Sequence, residues 1–181
     1  MAFIGLTAKG TAQASWNAAG ATVSSSLPFQ PPGNTGAFTF TTSYGVGSGL
    51  GQIQEVASNI LAISASSSAT LNLQSLTDVL GTAGVVLTKI KTWLFVLLSA
   101  AQDSTNGTIA SACVIQGGTS NPNTLSMAGT TPTYTLNNGG VWYHADPGSA
   151  GGTVSAGAAN GKVANSDGAN AAAVFYEVGG A

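Results

Sequence analysis

The sequence holds no arginine, one cysteine and one histidine, and only 6% of its 181 residues are charged, against about 25% in an ordinary globular domain. Each scarcity excludes something. Without guanidinium groups, and with a net charge of -2, the chain has neither the phosphate forks nor the positive field that a nucleic-acid partner calls for. A single thiol, Cys113, makes no internal disulfide, so no covalent framework supports the fold. It lies in IASACVIQ among apolar neighbours and reads as a small buried hydrophobe rather than a nucleophile or ligand. Metal binding calls for clustered Cys, His or carboxylates. Here Asp78, Asp103, Asp146, Asp167, Glu55 and Glu177 are scattered, so no metal and no cofactor are expected. No Gly-rich loop ends in the Lys-Ser/Thr of a phosphate cradle. GVGSGLG at 45–51 lacks both that lysine and a following helix, and SYGVGSGLGQ at 43–52 reads as a linker. The start, MAFIGLTAKG, lacks the basic and long apolar regions of a secretory leader.

What is present is apolar and small. Hydrophobic residues make up 44% of the chain, which argues against a disordered polymer despite the abundance of Gly, Ala and Ser. Lys9, Lys89, Lys91 and Lys162 are the only strong cations, so the surface is expected to be neutral and hydrogen-bonding. The oiliest stretch is LTKIKTWLFVLLSAAQ at 87–102. Its uninterrupted apolar part runs from Trp93 to Leu98, well short of the about 20 residues of a membrane helix. As a strand, residues 85–99 reach about 50 Å and should bend or bulge on the way. A buried helix is the competing assignment. One face carries Ile90, Thr92, Leu94, Val96 and Leu98, the other Lys89, Lys91, Trp93, Phe95 and Leu97. With apolar groups on both, the second face needs a cover: another sheet, the N-terminal segment or a neighbouring subunit.

The rest of the chain alternates short strands and turns. Residues 1–51 form an N-terminal arm or small subdomain rich in Gly, Ala, Ser and Thr, broken by LPFQPPG, with strand-like alternation at Ala21/Val23 and Phe38/Phe40. Residues 52–181 form the main domain. QIQEVASNILAIS fits either a helical face or a strand; we expect strands at 59–64 and 69–74 joined by a Ser-rich turn. Ser75 and Asp78 have capping-box spacing, which predicts a helical turn ended by Gly81. Asn106–Gly107 predicts a tight turn returning into a strand at 108–116. A short strand is expected near Leu125 and Met127, and NNGG at 137–140 reads as a hairpin turn between Tyr134/Leu136 and Val141/Tyr143. Weak strands around Val154 and Val163 flank Asn160–Gly161, and AAAVFYEVGG closes the chain as a strand apolar on both faces, suited to a central place. The pattern predicts an all-β protein, an antiparallel β-sandwich or jelly roll.

No catalytic constellation stands out. His144 is near Asp146, but so many serines make a Ser-His-Asp match uninformative, and His144 reads as a polar residue before the Asp146–Pro147–Gly148 turn. Trp93, Trp142, Tyr134, Tyr143, Phe175 and Tyr176 read as core or subunit contacts, with a sugar-binding patch as the alternative.

The stretch from about 50 to 178 resembles a family of small structural proteins of tailed bacteriophages. The resemblance lies in LNLQSLTDVLG, the KIK strand that follows, NNGGVWYHADP, and GTVSAGAANGKVANSDGANAAAVFYEV. It implies a virion component with a β-sandwich body, without choosing head or tail, and no functional residues carry over from it. The expectation is a capsid decoration or head-fibre subunit on the virion surface, made in the host cytoplasm and without enzymatic activity. It would assemble as a homo-oligomer, a trimer among the options, and contact the major capsid protein or other virion proteins. No nucleic acid or membrane is expected as a partner. A tail or baseplate component and a secreted carbohydrate-binding or adhesin module are the alternatives, and a hydrolase built on His144 the third.

Overall fold

The structure, a computed structural model, describes residues 11–17, 20–26, 45–77, 83–98, 110–125, 127, 132–145 and 151–181. In chain order the strands are β1 (Thr11–Asn17), β2 (Gly20–Ser26), β3 (Gly45–Val46), β4 (Gln52–Ile53), β5 (Glu55–Ile63), β6 (Ser68–Asn72), β7 (Leu76–Thr77) and β8 (Ala83–Val85). They continue with β9 (Lys89–Leu97), β10 (Ala112–Gly117), β11 (Thr133–Asn137), β12 (Val141–Ala145), β13 (Gly152–Thr153), β14 (Asn160–Asn165) and β15 (Ala172–Gly180). No helix occurs among the described residues.

Nine of these strands build a β-sandwich. One sheet has the order β12-β9-β15-β5, with β13 prolonging β12 along β9; the other has the order β11-β10-β14-β6. All pairings within both sheets are antiparallel. The pairs β5–β15, β6–β14, β9–β12 and β10–β11 are nested, each lying inside the previous one along the chain. Such a ribbon, rolled up so that β9 joins β15 and β10 joins β14, is a jelly roll.

Alternation explains which side chains meet between the sheets. On β9, Trp93, Phe95 and Leu97 stand beside Val178, Tyr176 and Val174 of β15, all buried. They face Cys113, Ile115, Leu136, Val163 and Leu71 of the second sheet in one continuous core. The closing strand, predicted to be central, lies between β9 and β5.

Several local expectations are corrected. The chain does turn at Asn137–Gly140, but its flanks part: β11 pairs with β10 and β12 with β9, so NNGG makes an arch between sheets rather than a hairpin. Asn160–Gly161 does not lie between two strands; both residues begin β14, and the reversal lies at Ser155–Ala158. Residues 85–99 are not one strand, because β8 ends at Val85 and β9 starts at Lys89. The strands expected at 59–64 and 69–74 are present but begin earlier, at Glu55 and Ser68, which settles QIQEVASNILAIS as strand. Leu76 and Thr77 pair with β8 instead of starting a helical turn; Asp78 and Gly81 lie outside the described residues. Leu125 is buried in a turn at φ 51°, with no strand there. Asn106–Gly107, Phe38, Phe40 and Asp146 also lie outside the described residues.

Candidate assembly surface

The β12-β9-β15-β5 sheet has one face on the core and an outer face turned away from it. Register places Val141, Tyr143 and Ala145 beside Val96, Leu94 and Thr92, then Phe175, Glu177 and Gly179, then Ile60, Ser58 and Val56. One acidic side chain, Glu177, interrupts this apolar field. Burial raises its pKa above the usual carboxylate range.

One end of the face is sealed. A β-bulge lets β9 carry Lys91 as an extra residue between Thr92, opposite Gly179, and Ile90, opposite Gly180. Gly180 is required here, because a Cβ would sit 1.8 Å from the Lys89 carbonyl oxygen. The bulge turns Lys91 toward the Gly-rich segment, where β3 and β4 form a parallel pair around the loop 47–51. Its Nζ donates to the carbonyl oxygens of Ser48 (2.9 Å), Gln52 (2.7 Å) and Gly49. The side chain is 1% exposed; burial, and then the charge of Lys89, pull its pKa down from the usual lysine value. The segment read as a linker is therefore an ordered cage of backbone acceptors. Gly47, at φ 134°, and Gly51, at φ 65°, adopt backbone that favours glycine. Ile53, at its end, packs with Val56 and Ala145 and comes over Gly179.

Toward the other end the described side chains are less buried. Val141 is 49% and Ile60 51% exposed, while Val96 and Phe175 are half-buried. The Tyr143 hydroxyl is buried without a hydrogen-bond partner.

The aromatic residues form a seam along the flank where β11 and β12 are the two edge strands. Tyr134 stacks on Trp142 (4.9 Å between centroids), Trp142 lies over Phe95 (5.8 Å) and against Trp93 (5.3 Å), and His144 stacks on Trp93 at 4.2 Å. Trp93 and Tyr176 are buried, and Trp142, Tyr143 and Phe175 half-buried; Tyr134, 38% exposed, is the outermost ring of the seam. The rings thus contact one another rather than spreading into a platform. His144 acts as a stacking partner, and its carbonyl accepts a bond from Thr92 Oγ1.

Three further features lie elsewhere on the body. Asp167 accepts bonds from the backbone N–H groups of Ser111, Ala169 and Asn170 and from the Asn170 side chain. These bonds, the Ala169 amide first, hold its pKa well below the usual carboxylate range and tie the loop before β15 to the start of β10. Cys113 is fully buried, and burial, aided by the negative charge of Asp167, pushes its thiol up to about 11, so it is inert as a nucleophile. A cleft of about 490 Å³ opens beside the β10–β11 loop, lined by small neutral groups such as Gln116, Thr119, Pro122 and Thr133. Among the described residues no three of His, Cys, Asp and Glu gather as a metal site would require, and no helix is long and apolar enough to cross a membrane.

Sequence reasoning missed the Lys91 cage, whose acceptors are backbone carbonyls and leave no side-chain signature. The only available signal was a lysine alternating onto a face that is otherwise buried. Compared with known proteins, the chain matches no family model, no curated protein and no solved structure.

Proposed function

We propose that this protein is a structural subunit of a tailed-bacteriophage virion, a capsid decoration or head-fibre component that works as a homo-oligomer through many weak, identical contacts. The observation that carries this reading is an almost uncharged exterior on a jelly-roll body. Ten charged side chains serve 181 residues, and one of them, Lys91, is buried. Isolated large apolar groups, namely Leu50, Ile60, Val86, Tyr134 and Val141, stand out from that neutral surface. Copies with such a surface pack side by side without accumulating repulsion. Small apolar contacts, each too weak alone, add up through avidity on a lattice. Jelly rolls recur in viral capsid proteins, a likeness of architecture that supports the reading only by analogy.

The same architecture also serves lectins. The exposed Tyr134 ring stacked on Trp142 favours a carbohydrate-binding module as the second reading. Light scattering after size exclusion, followed by co-sedimentation with phage heads lacking the protein, tests the first reading. Oligomers that bind heads through neutral contacts insensitive to salt support it. A strict monomer that ignores heads, yet binds glycans and loses them in Tyr134→Ala, moves the assignment to the second.

A further inference from the structure

The edge strands of the sandwich are β12 and β5 in one sheet and β11 and β6 in the other, and they are not equally protected. β6, β11 and β12 have five residues each, whereas β5 runs for nine, EVASNILAI. Proteins blunt exposed edges with short strands, bulges, Pro or charges. β5 has none of these along its length. Its register with β15 is unbroken from Glu55 to Ile63, and its one charged residue, Glu55, stands at its first position.

The ladder shows which backbone groups of β5 are left over. Leu98 donates to the Ala173 carbonyl, so on β15 the N–H and C=O groups of Ala173, Phe175 and Glu177 point to β9. Those of Val174, Tyr176 and Val178 point to β5, where they meet Leu61, Asn59 and Ala57. The alternate residues of β5, Val56, Ser58, Ile60 and Ala62, therefore turn their backbone groups outward. The Ile60 N–H donates to the Asn59 side-chain oxygen at 2.8 Å. The outward groups of Ser58 and Ala62 have no partner among the described residues. Asn59, Ile60 and Ala62 are also exposed.

We infer that β5 pairs antiparallel with β5 of a second copy about a two-fold axis at Asn59, joining two β12-β9-β15-β5 sheets into one. This names a contact for the homo-oligomer proposed above and rests on that part of the reading. Three observations select the occupant. The first is overlap. Centred on Asn59, all nine residues pair: Ser58 lies opposite Ile60, Val56 opposite Ala62 and Glu55 opposite Ile63 of the other copy. Outward groups then meet outward groups, for about eight new ladder bonds. The second is charge. The antiparallel pair holds its two Glu55 side chains at opposite ends, about 27 Å apart and well beyond the screening length of about 8 Å; a parallel pair would set them side by side. Glu177, one strand inside the edge, stays about 14 Å from its own copy. The third is apolar contact. Ile60, exposed in one chain, gains the other copy's Ile60 and Val56 as diagonal neighbours. The Asn59 bond to Ile60 must open for this pairing, so Asn59 tempers the contact and keeps it weak.

Disulfide trapping of the full-length chain tests this. Across the axis the two copies of position 59 form a non-hydrogen-bonded pair with Cα atoms about 4.5 Å apart, within disulfide reach. Under mild oxidation Asn59→Cys should give a covalent dimer at least about tenfold faster than Thr135→Cys on the exposed β11 edge, with the buried Cys113 silent. Equal rates would overturn the inference. Sedimentation velocity over a concentration series supplies a second measurement. Ser58→Pro removes an N–H that no native bond uses, and Ile60→Lys puts a cation on the bare edge. Both should raise the dimer dissociation constant at least about tenfold with the melting temperature unchanged; should Ser58→Pro unfold, Ile60→Lys alone decides. Asn59→Val, which releases the Ile60 N–H, should tighten the dimer about fivefold. Oligomers indifferent to Ser58→Pro and Ile60→Lys would overturn this contact and leave the homo-oligomer standing. A strict monomer would overturn both; if its binding to phage heads is lost in the two variants, the edge takes a strand of another protein instead.

Discussion

Strands β9 and β15 present apolar residues on both sides, yet the two sides lead different lives. Inward, Trp93, Phe95 and Leu97 meet Val174, Tyr176 and Val178 and are sealed by the second sheet. Outward, Leu94 is buried but Val96 and Phe175 are only half-buried, and among the described residues it is 45–53, at the Lys91 end, that close over the sheet. The difference teaches that apolar composition alone does not define a core. What defines it is whether the chain provides a matching layer. On the outer side a buried cation and a Gly-rich loop do locally what a whole sheet does on the inner side.

Four substitutions test the contrast, in descending order of effect. Phe95→Ala, on the inner side, should cost about 3–5 kcal/mol in urea unfolding, because the cavity it leaves cannot collapse between two sheets. Lys91→Met should cost about 1–3 kcal/mol, since methionine fills the space but leaves the carbonyls of Ser48, Gly49 and Gln52 without their donor. Hydrogen exchange should show the amides of 47–54 losing protection ahead of the rest. Phe175→Ala, on the outer side, should cost about 1 kcal/mol. A loss as large as that of Phe95→Ala would erase the contrast and mean that the outer face is as tightly sealed as the inner one.

The smallest change is expected from Glu177→Gln. The folded-state pKa of Glu177 is raised, so the native state holds its proton more tightly than the unfolded chain does. Stability is therefore full below the ordinary Glu pKa and declines as pH rises through the folded value. The amide removes that decline. Melting at pH 7 should show a gain within about 0.5 kcal/mol, absent when the comparison is repeated at acidic pH below the Glu range. An equal gain at both pH values would show that burial of the carboxylate is not its source.

Much of this architecture was legible in the residues. The period-2 alternation of AAAVFYEV announced a central strand, and the length of the apolar run at Trp93–Leu98 excluded a membrane helix. The failures share a cause. NNGG specifies that the backbone reverses, but not that the outgoing strand rejoins the same sheet; β12 leaves for β9 because the ribbon there rolls over. Asn160–Gly161 carried the same turn chemistry, yet both residues lie inside β14, where Gly161 pairs with Leu71 on one side and Gly117 on the other. The Gly-rich stretch at 45–51 looked like a tether because glycine signals freedom. Here that freedom lets carbonyls converge on an ammonium from a strand some forty residues away. Surfaces were the least legible part, since the shape of a face depends on pairings between distant strands.

The nested pairing sets an order of events during synthesis. The partner of β5 is β15, so the first long strand of the body waits for a partner far later in the chain to leave the ribosome. Until Ala172–Gly180 emerges, β5 and β9 have a gap between them and both expose an unsatisfied ladder to other nascent chains. A topology made of such distant pairs folds slowly. Its vulnerable period is the interval between the emergence of β5 and that of β15.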